Sequence, residues 1–355
     1  MRYVALAYLR EGMILARPLY RKTDVMLKSG VVLTQQYINS IQRCGFSGVY
    51  IQDDLSADLV VEPLINDELR METTRRLARI RELAKFDDDK SHQEIPDITS
   101  QIDDIVSELY HNKDVMVNVM DLSSYDNYTF SHSLNVTLLS VLLGITLKLP
   151  RSDLVGLGSG ALLHDIGKIN ISKRILLKNG PLTDEEFDIV KKHPQDGFDY
   201  ISKRFHLPYQ HAATILDHHE KFDGTGYPNK KKGDEISIFG RICSVADVYD
   251  ALSSKRPYRG ALPVHECVEY IMGGSFTQFD PQVVSAFTRR IAPYPVGTSV
   301  TLSNGWVGLV VENYASYSLR PKLRVYQQDG QDVQPFEISL KDDPKYLNVT
   351  IIGVS

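Results

Sequence analysis

The residues of this chain best equipped for chemistry are seven histidines and aspartates: His132, His164, Asp165, His193, His218, His219 and Asp247. His164 and Asp165 follow the apolar run Ala161-Leu162-Leu163, where burying ionisable groups is costly unless something compensates them. A divalent metal does so most directly, since neutral imidazole and carboxylate are both good ligands for first-row ions. The seven are regularly spaced. His132 stands 32 residues before His164, His193 29 after it, His218 25 further on, and Asp247 28 beyond His219. Each gap is about one helix plus a loop, so the helices of a bundle can send ligands into one centre. Neighbours on a helix point apart. The adjacent pairs His164-Asp165 and His218-His219 therefore fit two ions bridged by a carboxylate better than one tetrahedral site.

Two further signals surround this set. Asp223-Gly224-Thr225-Gly226-Tyr227-Pro228 follows His218-His219-Glu220, and its glycines and proline make a loop that can take positive φ and approach a ligand closely. Its place just beyond two ligands reads as substrate-facing. Arg256-Pro257-Tyr258-Arg259, soon after Asp247, offers two guanidinium groups suited to phosphate oxygens. Lys230, Lys231 and Lys232 read as a solvated run that at most concentrates an anionic substrate.

The elements that must position these groups are helical. Over residues 98–292 apolar residues recur at three and four, as in Ile102, Ile105, Val106 and Leu109, and in Leu134, Leu138, Val141 and Leu142. Pro150, Gly180-Pro181, Pro208 and Pro263 punctuate them, which predicts an all-α bundle. Leu134 to Leu147 is too short and too interrupted to cross a bilayer and reads as a buried helix. Residues 1–62 predict a small α+β unit with a hairpin at Lys28-Ser29-Gly30, a helix capped by Thr34 and stopped by Gly45, and a strand from Gly48. Residues 63–97 predict a helical linker that turns acidic and polar after Phe86. Residues 293–355, with turns at Asn304-Gly305 and Asp329-Gly330, predict a β unit of about four strands. The 355 residues are 43% apolar with a net charge of −5, an ordinary globular composition that gives no reason to expect a nucleic-acid polymer as partner. Three cysteines, Cys44, Cys243 and Cys267, without a CxxC pair point to a reducing compartment; with no signal-peptide pattern at the start, the expectation is a cytoplasmic protein with no membrane span.

From about Tyr125 to Ala286 the chain resembles the HD-GYP domain, a branch of the HD metal-dependent phosphohydrolases. The resemblance is carried by His164-Asp165-Ile166-Gly167-Lys168, His193-Pro194 with Gly197, His218-His219-Glu220, Asp223 to Pro228, Val245 to Leu252 and Arg256 to Arg259. It implies a mainly α fold, an HD-type helical core with a small α+β unit before it and a small β unit after it. It implies a phosphodiesterase that hydrolyses cyclic di-GMP to the linear dinucleotide, and in many members onward to GMP, in bacterial signalling. By this resemblance His132, His164, Asp165, His193, His218, His219 and Asp247 correspond to metal ligands, with Asp165 bridging. Lys168 corresponds to a lysine on the scissile phosphate, and Asp165 and Lys168 are the catalytic pair. Arg256 and Arg259 match phosphate-holding positions, while Asp223, Gly224, Gly226 and Tyr227 lie in the substrate loop. Members with a third ion carry a glutamate four residues before the first histidine. Tyr128 stands there, which implies two divalent ions, iron or manganese, with zinc or nickel also compatible. Two alternatives stay open: a catalytically silent cyclic-dinucleotide receptor acting through a protein partner, and a phosphodiesterase for another cyclic dinucleotide such as cyclic GMP-AMP. A homodimer is a further option.

Overall fold

The computed structural model describes the chain apart from residues 22–23, 47, 62, 86–90, 112–124, 127, 206–207, 255–261, 315–316 and 355. It forms two compact units. One gathers Met1–Pro63, Val115–Asn127 and Thr288–Ser355, and the other Leu64–Asp114 and Tyr128–Phe287.

The first unit is β-rich. Its N-terminal part contains β1 (Arg2–Ala5), β2 (Ile14–Leu15), β3 (Leu19–Arg21), β4 (Asp24–Leu27), α1 (Gln35–Arg43) and β5 (Gly48–Gln52). The buried β5 lies between β1 and β2 and is antiparallel to both. Thr34 accepts the Tyr37 amide at the start of α1, and Gly45 at φ +85° ends it, as the sequence leads one to expect. The hairpin lies one step earlier than expected. β3 pairs with β4 across residues 22–23, and the Lys28-Ser29-Gly30 turn comes after β4. That turn is committed elsewhere, because Ser29 Oγ donates to Ala16 O and Gly30 N to Leu15 O.

β6 (Tyr125–Asp126) joins β3 in parallel. The C-terminal part holds β7 (Ser299–Leu302), β8 (Val307–Glu312), β9 (Lys322–Gln328), β10 (Gln331–Ser339) and β11 (Ile351–Val354) in one antiparallel sheet of order β10-β9-β8-β7-β11. The strand beyond the expected four is β11, an edge strand with alternating exposure. The N- and C-terminal segments, expected as separate domains, share this one unit while keeping separate apolar cores. Polar contacts join them: Tyr3 N–H donates to Gly297 O at 2.9 Å, and Arg324 grips both Asp58 oxygens at 2.7 Å.

The second unit is helical: α2 (Asp67–Lys85), α3 (Ser91–His111), α4 (Tyr128–Thr146), α5 (Arg151–Leu162), α6 (Lys173–Leu176), α7 (Asp184–Val190), α8 (His193–Phe205), α9 (Tyr209–Asp217), α10 (Ile238–Ser253), α11 (Val264–Gly273) and α12 (Pro281–Arg290), whose last residues pass into the β-rich unit. The expected linker belongs here. Leu77, Ile80 and Ala84 give α2 an apolar face that packs on α3 and α4, and Ser91 to Pro96, read as polar linker, begin α3. α4 is buried nearly all round from His132 to Gly144 and packs on α2, α3, α5 and α10. Its buried Thr137 returns a hydrogen bond to Ser133 O, so the helix itself satisfies that polar group. Among the described residues no helix is long and apolar enough to cross a membrane.

Candidate metal centre

The seven expected ligands converge inside the helical unit. His132 on α4 and Asp247 on α10 are helix-borne, as their spacing suggested. The other five are not within helices but at their ends. His164 and Asp165 occupy the turn after α5, His193 opens α8, His218 caps α9, and His219 follows it. Their placement at helix ends has a physical reason. Carbonyls in a helix's last turn lack the amide partner four residues on, and these histidines use them. His164 Nδ1–H donates to Ala161 O, His193 Nδ1–H to Val190 O and His218 Nδ1–H to Ile215 O, at 2.7, 2.7 and 2.8 Å. A carbonyl can only accept, so each Nδ1 carries the proton and each Nε2 keeps a lone pair. Gly167 makes the convergence possible, since a Cβ there would stand 2.1 Å from His193 O.

The ligand atoms fall into three overlapping groups, each within 4.8 Å: His132, His164 and Asp247; His193, His218 and His219; and His164, Asp165 and His218. The first two are separate triads and the third links them through Asp165. Asp165 Oδ1 lies 3.5 Å from His164 Nε2 and 3.4 Å from His193 Nε2. His164 Nε2 and Asp165 Oδ1 are buried without a hydrogen-bond partner. Orphaned buried atoms of this kind cost stability, and a cation between them removes the cost, so this donor set fits a pair of divalent ions.

The electrostatics agree. Burial lowers the pKa of His164 and His218, and takes His219 down to about 3, so all three imidazoles are neutral at pH 7. Burial pushes the Asp165 and Asp247 carboxyls up, but their cationic neighbours win and hold both well below the usual range: chiefly Lys168 for Asp165, and His132 for Asp247. Lys168 Nζ donates to Asp165 Oδ2 at 2.7 Å, so the lysine expected at a phosphate is seated on the shared carboxylate. Burial also opposes a charge on His132, yet Asp247 and Asp250 together carry its pKa up to about 10.

Asp250 is a residue the sequence reading missed. It faces His132 Nδ1 at 2.7 Å and accepts from Asn135 Nδ2 at 2.9 Å, fixing the imidazole that points at Asp247. Its signal was its place three residues after Asp247 on the same helix. Arg81 on α2 was missed too, because its helix was read as linker; burial lowers its pKa and the Asp165 charge opposes that shift.

The loop after His219 is held by two acids also not foreseen. Glu220 accepts the Asn229 and Lys231 amides at 2.6 and 3.1 Å, and Asp217 accepts from Lys231 Nζ and the Ser237 amide at 2.7 and 3.0 Å. Asp223 is turned into the loop, accepting from Thr225 N and Oγ1 at 2.9 and 2.7 Å. Gly224 takes φ +87°, and at Gly226 a Cβ would meet Lys221 N at 2.2 Å. Tyr227 stacks on the His219 ring, centroids 4.8 Å apart, and meets Phe187 edge-on at 6.3 Å. Arg256, Arg259 and the Tyr128 side chain lie outside the described residues.

Residues 116–283 match the HD domain family. This segment is an HD domain. A cyclic di-GMP phosphodiesterase of Pseudomonas aeruginosa, PA4108, is 36% identical over 225 residues, 63% of this chain and 54% of that protein. A cyclic di-GMP phosphodiesterase of Thermotoga maritima is 42% identical over 170 residues, 47% of this chain and 46% of that one. A 3'3'-cGAMP-specific phosphodiesterase of Vibrio cholerae is 37% identical over 169 residues, 47% of this chain and 36% of that one. The chain thus spans about half the length, or less, of these curated relatives. The HD domain and its flanks share their fold with Bd1817 of Bdellovibrio bacteriovorus, at TM-score 0.50 and 17% identity over 80% of this chain and 97% of that one.

Proposed function

We propose that this protein is a metal-dependent phosphodiesterase that hydrolyses cyclic di-GMP to the linear dinucleotide pGpG, with GMP as the further product to test for. The observation that carries this reading is the Asp165 carboxylate beside two triads, His132, His164 and Asp247 on one hand and His193, His218 and His219 on the other. His132, His164 and Asp247 would hold one divalent ion, His193, His218 and His219 a second, and Asp165 would be shared. What such a pair supplies when bound is an activated water and neutralisation of the charge that grows on the phosphoryl oxygens. The protein's own residues do the rest. Three main-chain carbonyls and Asp250 fix four imidazole orientations, so no reorganisation is needed during reaction. Lys168 holds the Asp165 carboxylate in place and brings a positive charge beside the phosphate, while Arg256 and Arg259 grip the non-bridging phosphate oxygens. The loop from Asp223 to Tyr227, tied down by Asp217 and Glu220, flanks the bound nucleotide.

A histidine-rich, carboxylate-bridged site suits iron or manganese, and three free cysteines among the described residues suit a reducing, cytoplasmic setting. The relative named for 3'3'-cGAMP supports that nucleotide as the second substrate to test. A silent receptor would have no chemical need of the full ligand set. Protein purified without oxygen should contain about two metal ions per chain and release linear product from cyclic di-GMP. The double variant H164A/D165A should lose both metal and turnover while keeping its circular dichroism spectrum. Full activity in that variant, or binding without product in the wild type, would overturn the proposal.

A further inference from the structure

We infer that Phe187 is a base-stacking subsite beside the centre, a platform for one purine ring of a cyclic dinucleotide. The inference rests on the substrate reading above and adds to it a specificity residue outside the ligand set. Phe187 sits on α7, a short helix fixed at its start by reciprocal bonds: Thr183 Oγ1 accepts the Glu186 amide at 3.3 Å, and Glu186 accepts the Thr183 amide at 2.9 Å. At its end Val190 O holds the His193 imidazole. The helix that carries Phe187 is therefore tied directly to a metal ligand.

The ring itself is 43% exposed, an unfavourable place for a phenylalanine unless something covers it. It continues a series of rings that leads outward from the metals: His219, then Tyr227 stacked on it at 4.8 Å and 28°, then Phe187 edge-on to Tyr227 at 6.3 Å and 80°. Lys191 Nζ lies over the Phe187 ring, 4.6 Å from its centroid, held by Asp188 at 2.8 Å, so a cation already occupies one side of a ring that is still 43% exposed. An aromatic face next to a positive charge, one ring beyond a site for phosphate, matches a purine attached to that phosphate. Every base has a π-face, and aromatic stacking is a common protein contact for unpaired bases.

The test uses F187A, F187L and F187W with two readouts. One is kcat and KM for cyclic di-GMP; the other is the emission of a cyclic dinucleotide carrying 2-aminopurine, which stacking quenches. F187A and F187L should each raise KM roughly tenfold with little change in kcat and lose the quenching, and F187W should retain both. If F187L behaves as wild type, the ring merely packs on Tyr227 and the inference is wrong; a fall in kcat at constant KM in F187A overturns it equally. A wild type that hydrolyses no cyclic dinucleotide sinks the activity reading instead. The quenching then decides the subsite: present in wild type and lost in F187A supports it, absent from both refutes it.

Discussion

Asp250 is the side chain on which His132 depends. Its carboxylate holds Nδ1 of the imidazole and is itself held by Asn135, so Nε2 is aimed at Asp247 before any ion arrives. Partners of this kind are worth about 10- to 100-fold in metal affinity, and D250A should lose that much in a competitive chelator titration, with the fold intact. Affinity equal to wild type would show that the imidazole needs no such support. The seven ligands were legible in the sequence because imidazoles and carboxylates beside apolar runs are costly and recur at helix-length intervals. Asp250 was not, because its role exists only across a sequence separation of 118 residues.

At the scale of elements, the ends of helices matter more than their faces. The heptad-like spacing of apolar residues gave the helices but not where they stop, so His164, Asp165, His218 and His219 were placed on helices when they occupy turns. The helical pattern of α2 was legible, but its many arginines and the polar stretch after Phe86 made it and the start of α3 read as linker, although Leu77 and Ile80 pack inward. The loop from Glu220 to Tyr227 carries a prediction of its own. Gly226 has no room for a methyl group against Lys221 N at 2.2 Å, whereas at Gly224 a methyl group would meet Lys232 Cβ at 3.3 Å and the positive φ is the larger constraint. G226A should therefore cut kcat/KM well over tenfold while metal content stays near wild type, and G224A should do less, its left-handed backbone costing about 1–2 kcal/mol. Equal effects in the two variants would mean that loop strain, not steric closure, governs the site.

At the scale of the whole molecule, the β-rich unit is assembled from segments distant in sequence, and no local pattern announces that. Arg324 is one of its fasteners. Its guanidinium bonds Asp58 and Glu337, and the hydrogen bond to Asp58 holds that carboxyl at about 2, below its ordinary 3.8. In the unfolded chain Asp58 takes up its proton first as pH falls. The stability this pair contributes is thus present above pH 3.8 and lost between there and about 2. R324A should shift the acid unfolding midpoint of this unit upward, read by the emission of Trp306, the single tryptophan, which packs against the C-terminal core. The Asp58 side chain is largely exposed, so the shift should be small and should shrink further in high salt. The three carbonyls that orient His164, His193 and His218 belong to the main chain at Ala161, Val190 and Ile215. No codon change at those three positions can delete them. Most of the centre's protonation pattern is thereby inherited through the fold, and among these four histidines only His132 entrusts it to a side chain that one point mutation can remove.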